Sequence, residues 1–238
     1  MNMKQRLSTI MTLAVLIVGG TTSAQAGELI SGTANGGQLA FYSDAACANI
    51  ISKAASGSTV YIRAIPDYGY TGIGATLSAL ATVGSGQAEA RSAVHKPETL
   101  PFGETIDVTT VDDARGIYRL TMPDNTNVTV SGTLATATAT TVSYVDENNE
   151  TQTVSAVPLD LTMTALAADQ WYVVASDLTF TSGFTSTGNM RIVIPDGATL
   201  TVGTESSPVQ ESVFYTGGNV FLYGQENATG KLSVNTKH

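Results

Sequence analysis

Four aspartates and one arginine are the residues of this chain best suited by type to cleave a polymer: Asp160, Asp169, Asp177, Asp196 and Arg191. Glycosidic chemistry needs two acids on one face, or a metal-bound acid set beside a base. These four fall in different sequence units with no shared face, so a polysaccharide-degrading enzyme is the weakest of the readings. Cys47 is the only cysteine, which excludes an intrachain disulfide; within Ala45-Ala46-Cys47-Ala48 it reads as a small apolar residue. His95 has no acidic or nucleophilic partner arranged around it in a catalytic pattern, and no Cys/His zinc spacing occurs. The run Asp146-Glu147-Asn148-Asn149-Glu150 has three carboxylates in five residues, which makes calcium conceivable there. It lacks the ligand alternation of a calcium loop and reads as the acidic tip of a hairpin. No metal ligand and no catalytic residue is therefore assigned. The remaining chemistry is aromatic: Tyr172, Tyr215 and Tyr223, interspersed with Thr and Asn, suit stacking and hydrogen bonding to sugar rings, while Trp171 reads as core.

The elements that must position these tyrosines come from a phrase written three times. It runs Trp171-Tyr172-Val173-Val174 to Leu178-Thr179-Phe180, then Arg191-Ile192-Val193-Ile194 to Leu200-Thr201-Val202, then Val220-Phe221-Leu222-Tyr223 to Leu232-Ser233-Val234. Strand formers precede a turn such as Pro195-Asp196-Gly197, and apolar residues at i and i+2 follow it. Stacked units 171–189, 190–219 and 220–238 predict a parallel β-helix, with an antiparallel β-sandwich as the alternative. Such a coil has flat side walls suited to a repetitive polymer. Tyrosines aligned on one outer wall favour a glycan ligand, and scattered ones favour a scaffold. No segment able to cap the last unit is evident, so either the polar tail covers it or further coils follow.

The first 26 residues read as a signal peptide: basic Lys4 and Arg6, an apolar run Ile10–Val18, and small residues at Ser23-Ala24-Gln25-Ala26. That apolar run is shorter than the ~20 residues a membrane span needs, so no transmembrane segment is expected. The chain has 11 Lys+Arg against 20 Asp+Glu, a net charge of −9; without Lys4 and Arg6 it is −11. An acidic chain without a basic cluster repels phosphate backbones, so nucleic acid is not an expected partner. Only 13% of residues are charged, and Thr, Ser, Asn and Gly supply the polar surface, as in exported β-proteins. A secreted or bacterial cell-surface location is expected.

Residues 27–134 read as short strands. Gly37–Tyr42 and Ser58–Ala64 alternate apolar and polar residues, as do Gly116–Met122 and Asn127–Leu134. The Ala- and Leu-rich stretch 75–90 reads as a weak helix or an ordered loop. Tyr70 reads as a core plug beside Gly69, with stacking by Tyr68 and Tyr70 as the alternative. Gly36-Gly37, Gly57-Ser58-Thr59-Val60, Pro66-Asp67-Tyr68-Gly69-Tyr70 and Thr121-Met122-Pro123 to Val128-Thr129-Val130 together resemble the divergent internalin-type B-repeat of bacterial surface proteins. The resemblance implies a β-grasp-like spacer or adhesion module; the insertion 78–112, with Arg91, His95 and Lys96, departs from it. Residues 135–157 read as a linker and β-hairpin. Residues 158–238 read as a short parallel β-helix, and the block Val142–Val234, with Tyr144–Asn148, resembles bacterial carbohydrate-binding-domain-containing proteins built on short right-handed β-helices. Its motifs are Gln170–Val174, Ile194–Val202 and Leu222–Gln225. The expectation is therefore a mainly all-β, exported, nonenzymatic protein that binds a polysaccharide or cell-surface partner. A structural spacer is the alternative.

Overall fold

The computed structural model describes residues 28–83, 103–124, 126–210 and 212–237. The signal-peptide segment, Arg91, His95 and Lys96 lie outside the described residues. The protein is all-β, and no helix among the described residues is long and apolar enough to cross a membrane.

Residues 28–136 make one sheet. Its strands are β1 (Glu28–Asn35), β2 (Gly37–Tyr42), β3 (Lys53–Ala54), β4 (Thr59–Pro66), β5 (Tyr70–Val83), β6 (Glu104–Ile106), β7 (Thr109–Asp112), β8 (Ile117–Thr121) and β9 (Thr126–Thr136). They run in the order β6-β5-β9-β1-β2-β4-β8-β7, with β3 paired to β1. Strand β4 alternates buried and less buried residues along its whole length, the period of a half-buried strand. The sheet curls on itself. Tyr118 on β8 donates its hydroxyl to the carbonyl of Ala75 on β5 at 3.1 Å, although the two strands lie near opposite edges. The curl encloses Ile30, Val60, Ile62, Leu120, Val128 and Val130. Gly36 sits at φ +82° in the β1–β2 turn, where a Cβ would meet the Tyr70 ring. Tyr70 packs against the core, as its position beside Gly69 suggested. A β-grasp module sets a helix across its sheet; the only helical turn among the described residues is the three-residue Asp113–Arg115.

Of the stretch 75–90, expected to be helix or loop, the described part, 75–83, is strand. β5 continues to Val83 and pairs with β9 from Thr76 to Val83 after a bulge. The helix preference of Ala and Leu is small per residue, and a long partner strand overrides it.

A hairpin follows, β10 (Thr140–Val145) and β11 (Thr151–Pro158), antiparallel and turning at the acidic tip. The coils come next: β12 (Trp171–Val173), β13 (Leu178–Phe180), β14 (Phe184–Ser186), β15 (Met190–Val193), β16 (Thr199–Val202), β17 (Phe214–Thr216), β18 (Val220–Tyr223) and β19 (Lys231–Val234). They stack in three ladders, β12–β15–β18, β13–β16–β19 and β14–β17, and every pairing among them is parallel. Like residue lies on like residue: Leu178, Leu200 and Leu232 form one column, Phe180, Val202 and Val234 the next. The interior holds Tyr172, Val174, Phe184, Met190, Ile192 and Leu200.

The coils are seated on the first sheet through residues 160–162. Thr71 donates its hydroxyl to Asp160 at 2.7 Å, and the Gly72 amide donates to the buried Thr162 hydroxyl at 2.9 Å. At the far end the inward residues Leu222, Leu232 and Val234 are exposed, because no coil covers them.

Burial along one column sets a direct comparison. Leu200 is fully buried, whereas Leu232, its partner in the next coil, is 37% exposed. Leu200→Ala is expected to lower the urea-unfolding free energy by about 2–5 kcal/mol, and Leu232→Ala by clearly less. Equal losses would mean that the last coil is covered in solution.

Candidate functional site

The second coil is the long one, and its extra length builds a cleft. Ladder partners are 20 residues apart at Trp171 and Arg191, 22 at Leu178 and Leu200, and 30 at Phe184 and Phe214. Most of the added chain therefore lies between β16 and β17. This segment is tied down. Gly203, at φ +76°, donates its amide to the Phe180 carbonyl at 2.8 Å. Thr204 and Ser207 close a turn, and the Val209 amide donates to Asn235 at 2.9 Å. A rigid wall thus stands beside the outer face of β14 and β17.

Between this wall and the Thr181–Gly183 turn lies an open cleft of about 730 Å³. Thr181, Ser182, Thr185, Ser207, Gln210 and Ser212 bring hydroxyls and an amide to its lining, and Phe184, Pro208 and Val209 bring apolar surface. No charged side chain is among its described lining residues. The hydroxyls of Thr181, Ser182 and Ser212 have no hydrogen-bond partner among the described residues. Tyr215 stands at its side, 72% exposed, with Thr185 as its ladder partner and Ala165 bridged to Thr185 in turn. A trough with hydroxyls along it and one exposed ring offers a stacking face and several donors.

The other two candidate tyrosines are elsewhere. Tyr172 is only 4% exposed and points into the coil interior, where its hydroxyl accepts the Ala167 amide at 2.8 Å. Burial pushes its phenol pKa up. Its ring is core and is not a binding platform. Trp171, expected in the core, takes the opposite face, because neighbouring residues of a strand point to opposite sides. There it packs with Tyr144 and Tyr223, all three ring centroids within 4.9 Å of one another. The hairpin β10–β11 folds over this outer face. The Val145 amide donates to Gly224, and Gln225 donates to Ser143. Tyr223 is thus half-buried under a strap. The three tyrosines occupy three different surfaces.

The acids are structural brackets. Asp196 accepts from the amides and side chains of both Asn227 and Thr229, tying the second coil's corner to the third. Asp177 accepts the Thr199 amide at 2.7 Å, and Asp160 accepts from Thr71 and Thr162. Asp169 pairs with Arg191 at 2.8 Å and with Asn189, which in turn accepts the Asn219 amide. Arg191 also lies 5.5 Å over the Phe221 ring. At the hairpin tip, Asp146 accepts from the amides of Asn148 and Glu150 and from Gln152. No group of three His, Cys, Asp or Glu among the described residues is arranged to hold a metal.

Comparison with protein-family models, curated proteins and solved structures finds no match. The geometry alone carries the functional argument. Sequence reasoning named Tyr215 but missed the cleft around it. The available signal was the 30-residue second unit, with Gly203 and Pro208 in its extra segment.

The brackets also predict acid behaviour. Backbone donation from Thr229, then from Asn227, holds the Asp196 carboxyl below its usual range. An unfolded aspartate titrates near ~4, so between that value and the lower folded one the unfolded chain binds more protons. The bracket's stability is present above ~4 and is lost as pH falls through the folded value. Asp196→Asn is expected to weaken the fold at pH 7 and to flatten its acid-unfolding limb relative to wild type. Parallel acid limbs in the two proteins would contradict this.

Proposed function

We propose that the chain is an exported, nonenzymatic surface protein that binds carbohydrate along the β14–β17 side of its coils. One observation carries this reading: the exposed Tyr215 beside an open trough to which Thr181, Ser182 and Ser212 present hydroxyls, with no charged residue among the described lining. Sugars present apolar ring faces and edges of hydroxyls, so a tyrosine face and short Ser, Thr and Gln side chains are complementary to them. An open trough admits a chain from its side, which suits a polymer better than an enclosed pocket would. The acids tied up in corner brackets favour holding a ligand over cleaving it. The signal-like N-terminus and the Thr/Ser/Asn-rich composition support export to the cell surface or beyond.

A scaffold reading is favoured by one specific observation, that Tyr172, Tyr215 and Tyr223 do not share a face. On that reading the coils and the curled sheet together form a spacer that meets protein or cell-wall partners.

Retention of the chain without its first 26 residues on insoluble polysaccharides, with and without calcium, separates the two. Tyr215→Ala is expected to lower retention about tenfold or more, a loss of ~1.4 kcal/mol per factor of ten. Tyr223→Ala is expected to leave retention intact while lowering the melting temperature, since it removes a packed ring. No retention of the wild type on any polymer supports the scaffold.

A further inference from the structure

Two arginines of the first sheet lie where the coils meet it, and neither forms a salt bridge with a described residue. Arg63 on β4 and Arg115 beside β8 are half-buried, and both line a small groove with Thr164, Thr179, Thr181 and Ser182. The Arg191–Asp169 pair is the only salt bridge among the described residues. Asp112 and Asp113 neighbour Arg115 in the chain, yet they turn to backbone. Asp112 accepts the Arg115 amide at 3.2 Å, and Asp113 accepts the Gly74 amide at 2.9 Å. Tyr42 and Cys47, which lie within the field of Arg63, are pushed by burial toward their neutral forms. In a chain with 20 acidic residues against 11 basic ones, two partly desolvated guanidiniums without a carboxylate are an unusual expense.

The groove is not isolated. Thr181 and Ser182 line both it and the Tyr215 cleft, so the two adjoin at these residues. Its volume of about 30 Å³ exceeds what one water needs, ~10–15 Å³, and is too small for a sugar ring. It fits a small anionic group projecting from a ligand in the larger cleft. Guanidinium is the side chain best matched to a carboxylate or sulfate by charge and by its planar fork.

We infer that Arg63 and Arg115 form an anion subsite at one end of the Tyr215 cleft, so that the preferred ligand is a saccharide bearing a carboxylate or sulfate group. This rests on the carbohydrate reading and narrows it. The net charge of −9 disfavours a polymer dense in charge. The matching ligand is a largely neutral chain with an occasional acidic substituent.

Glucuronoxylan and the same polymer after reduction of its carboxyls to alcohols make a matched pair of probes. The chain lacking residues 1–26 is expected to bind glucuronoxylan about tenfold or more tightly than the reduced form. Arg63→Gln with Arg115→Gln is expected to erase that difference and leave binding to the reduced polymer unchanged. Tyr215→Ala is expected to weaken binding to both. Light sulfation of the reduced polymer distinguishes the sources: restored tight binding assigns a general anion site, and unchanged weak binding assigns a carboxylate site. Equal, Tyr215-dependent binding of the two xylans by wild type overturns the inference and leaves the carbohydrate reading standing. Binding to neither, with no retention on any other polysaccharide, overturns both. The wild-type comparison decides the matter even if the double variant does not fold.

Discussion

A coil of this kind can bury its apolar residues only against the coils on either side of it. Each rung contributes a few inward side chains, too few to form a core alone, and the parallel ladders set them in columns. Leu178, Leu200 and Leu232 illustrate the constraint, since the middle one is sealed by its neighbours and the last is left partly open. The corner brackets follow from the same need. Ladders hold a column only if successive turns match, and Asp196, Asp177 and Asn189 fasten each turn to the next coil through backbone amides. Carboxylates that looked available for chemistry are spent on alignment.

The ends and sides of the stack are treated unequally. Its first end is seated on the curled sheet through Asp160 and Thr162, against Gly72, where a Cβ would come within 2.9 Å of the threonine. One side is strapped by the hairpin over the Tyr144–Trp171–Tyr223 cluster. That strap partly shields the wall richest in aromatic rings from solvent. The side carrying β14 and β17 is left open, and the lengthened second coil shapes it into a trough.

Much of this was legible in the sequence, and the limits have physical causes. The threefold phrase gave the ladder register because apolar residues at i and i+2 must share a face. Strand parity was the first thing lost. Trp171 and Tyr172 differ by one position, and only the stacking of Tyr172 on Ile192 tells which of them faces inward. The strand Tyr70–Val83 was hidden by its Ala and Leu content, because its partner β9 begins more than forty residues later. The hairpin was readable as a hairpin, but its role depends on contacts with Gly224 and Gln225, about eighty residues away. Arg63 and Arg115 do not stand out in the sequence for a similar reason: that neither meets a carboxylate among the described residues is visible only once their surroundings are.

The segment between β16 and β17 has a further consequence. Its length leaves the ladders undisturbed, since Phe184 and Phe214 remain paired across a 30-residue offset. Apart from Val209, which packs into the core, changes in this segment can reshape the trough without touching the ladder columns. The shape of this side of the stack is thus set by one loop and can change while the stacked framework stays constant.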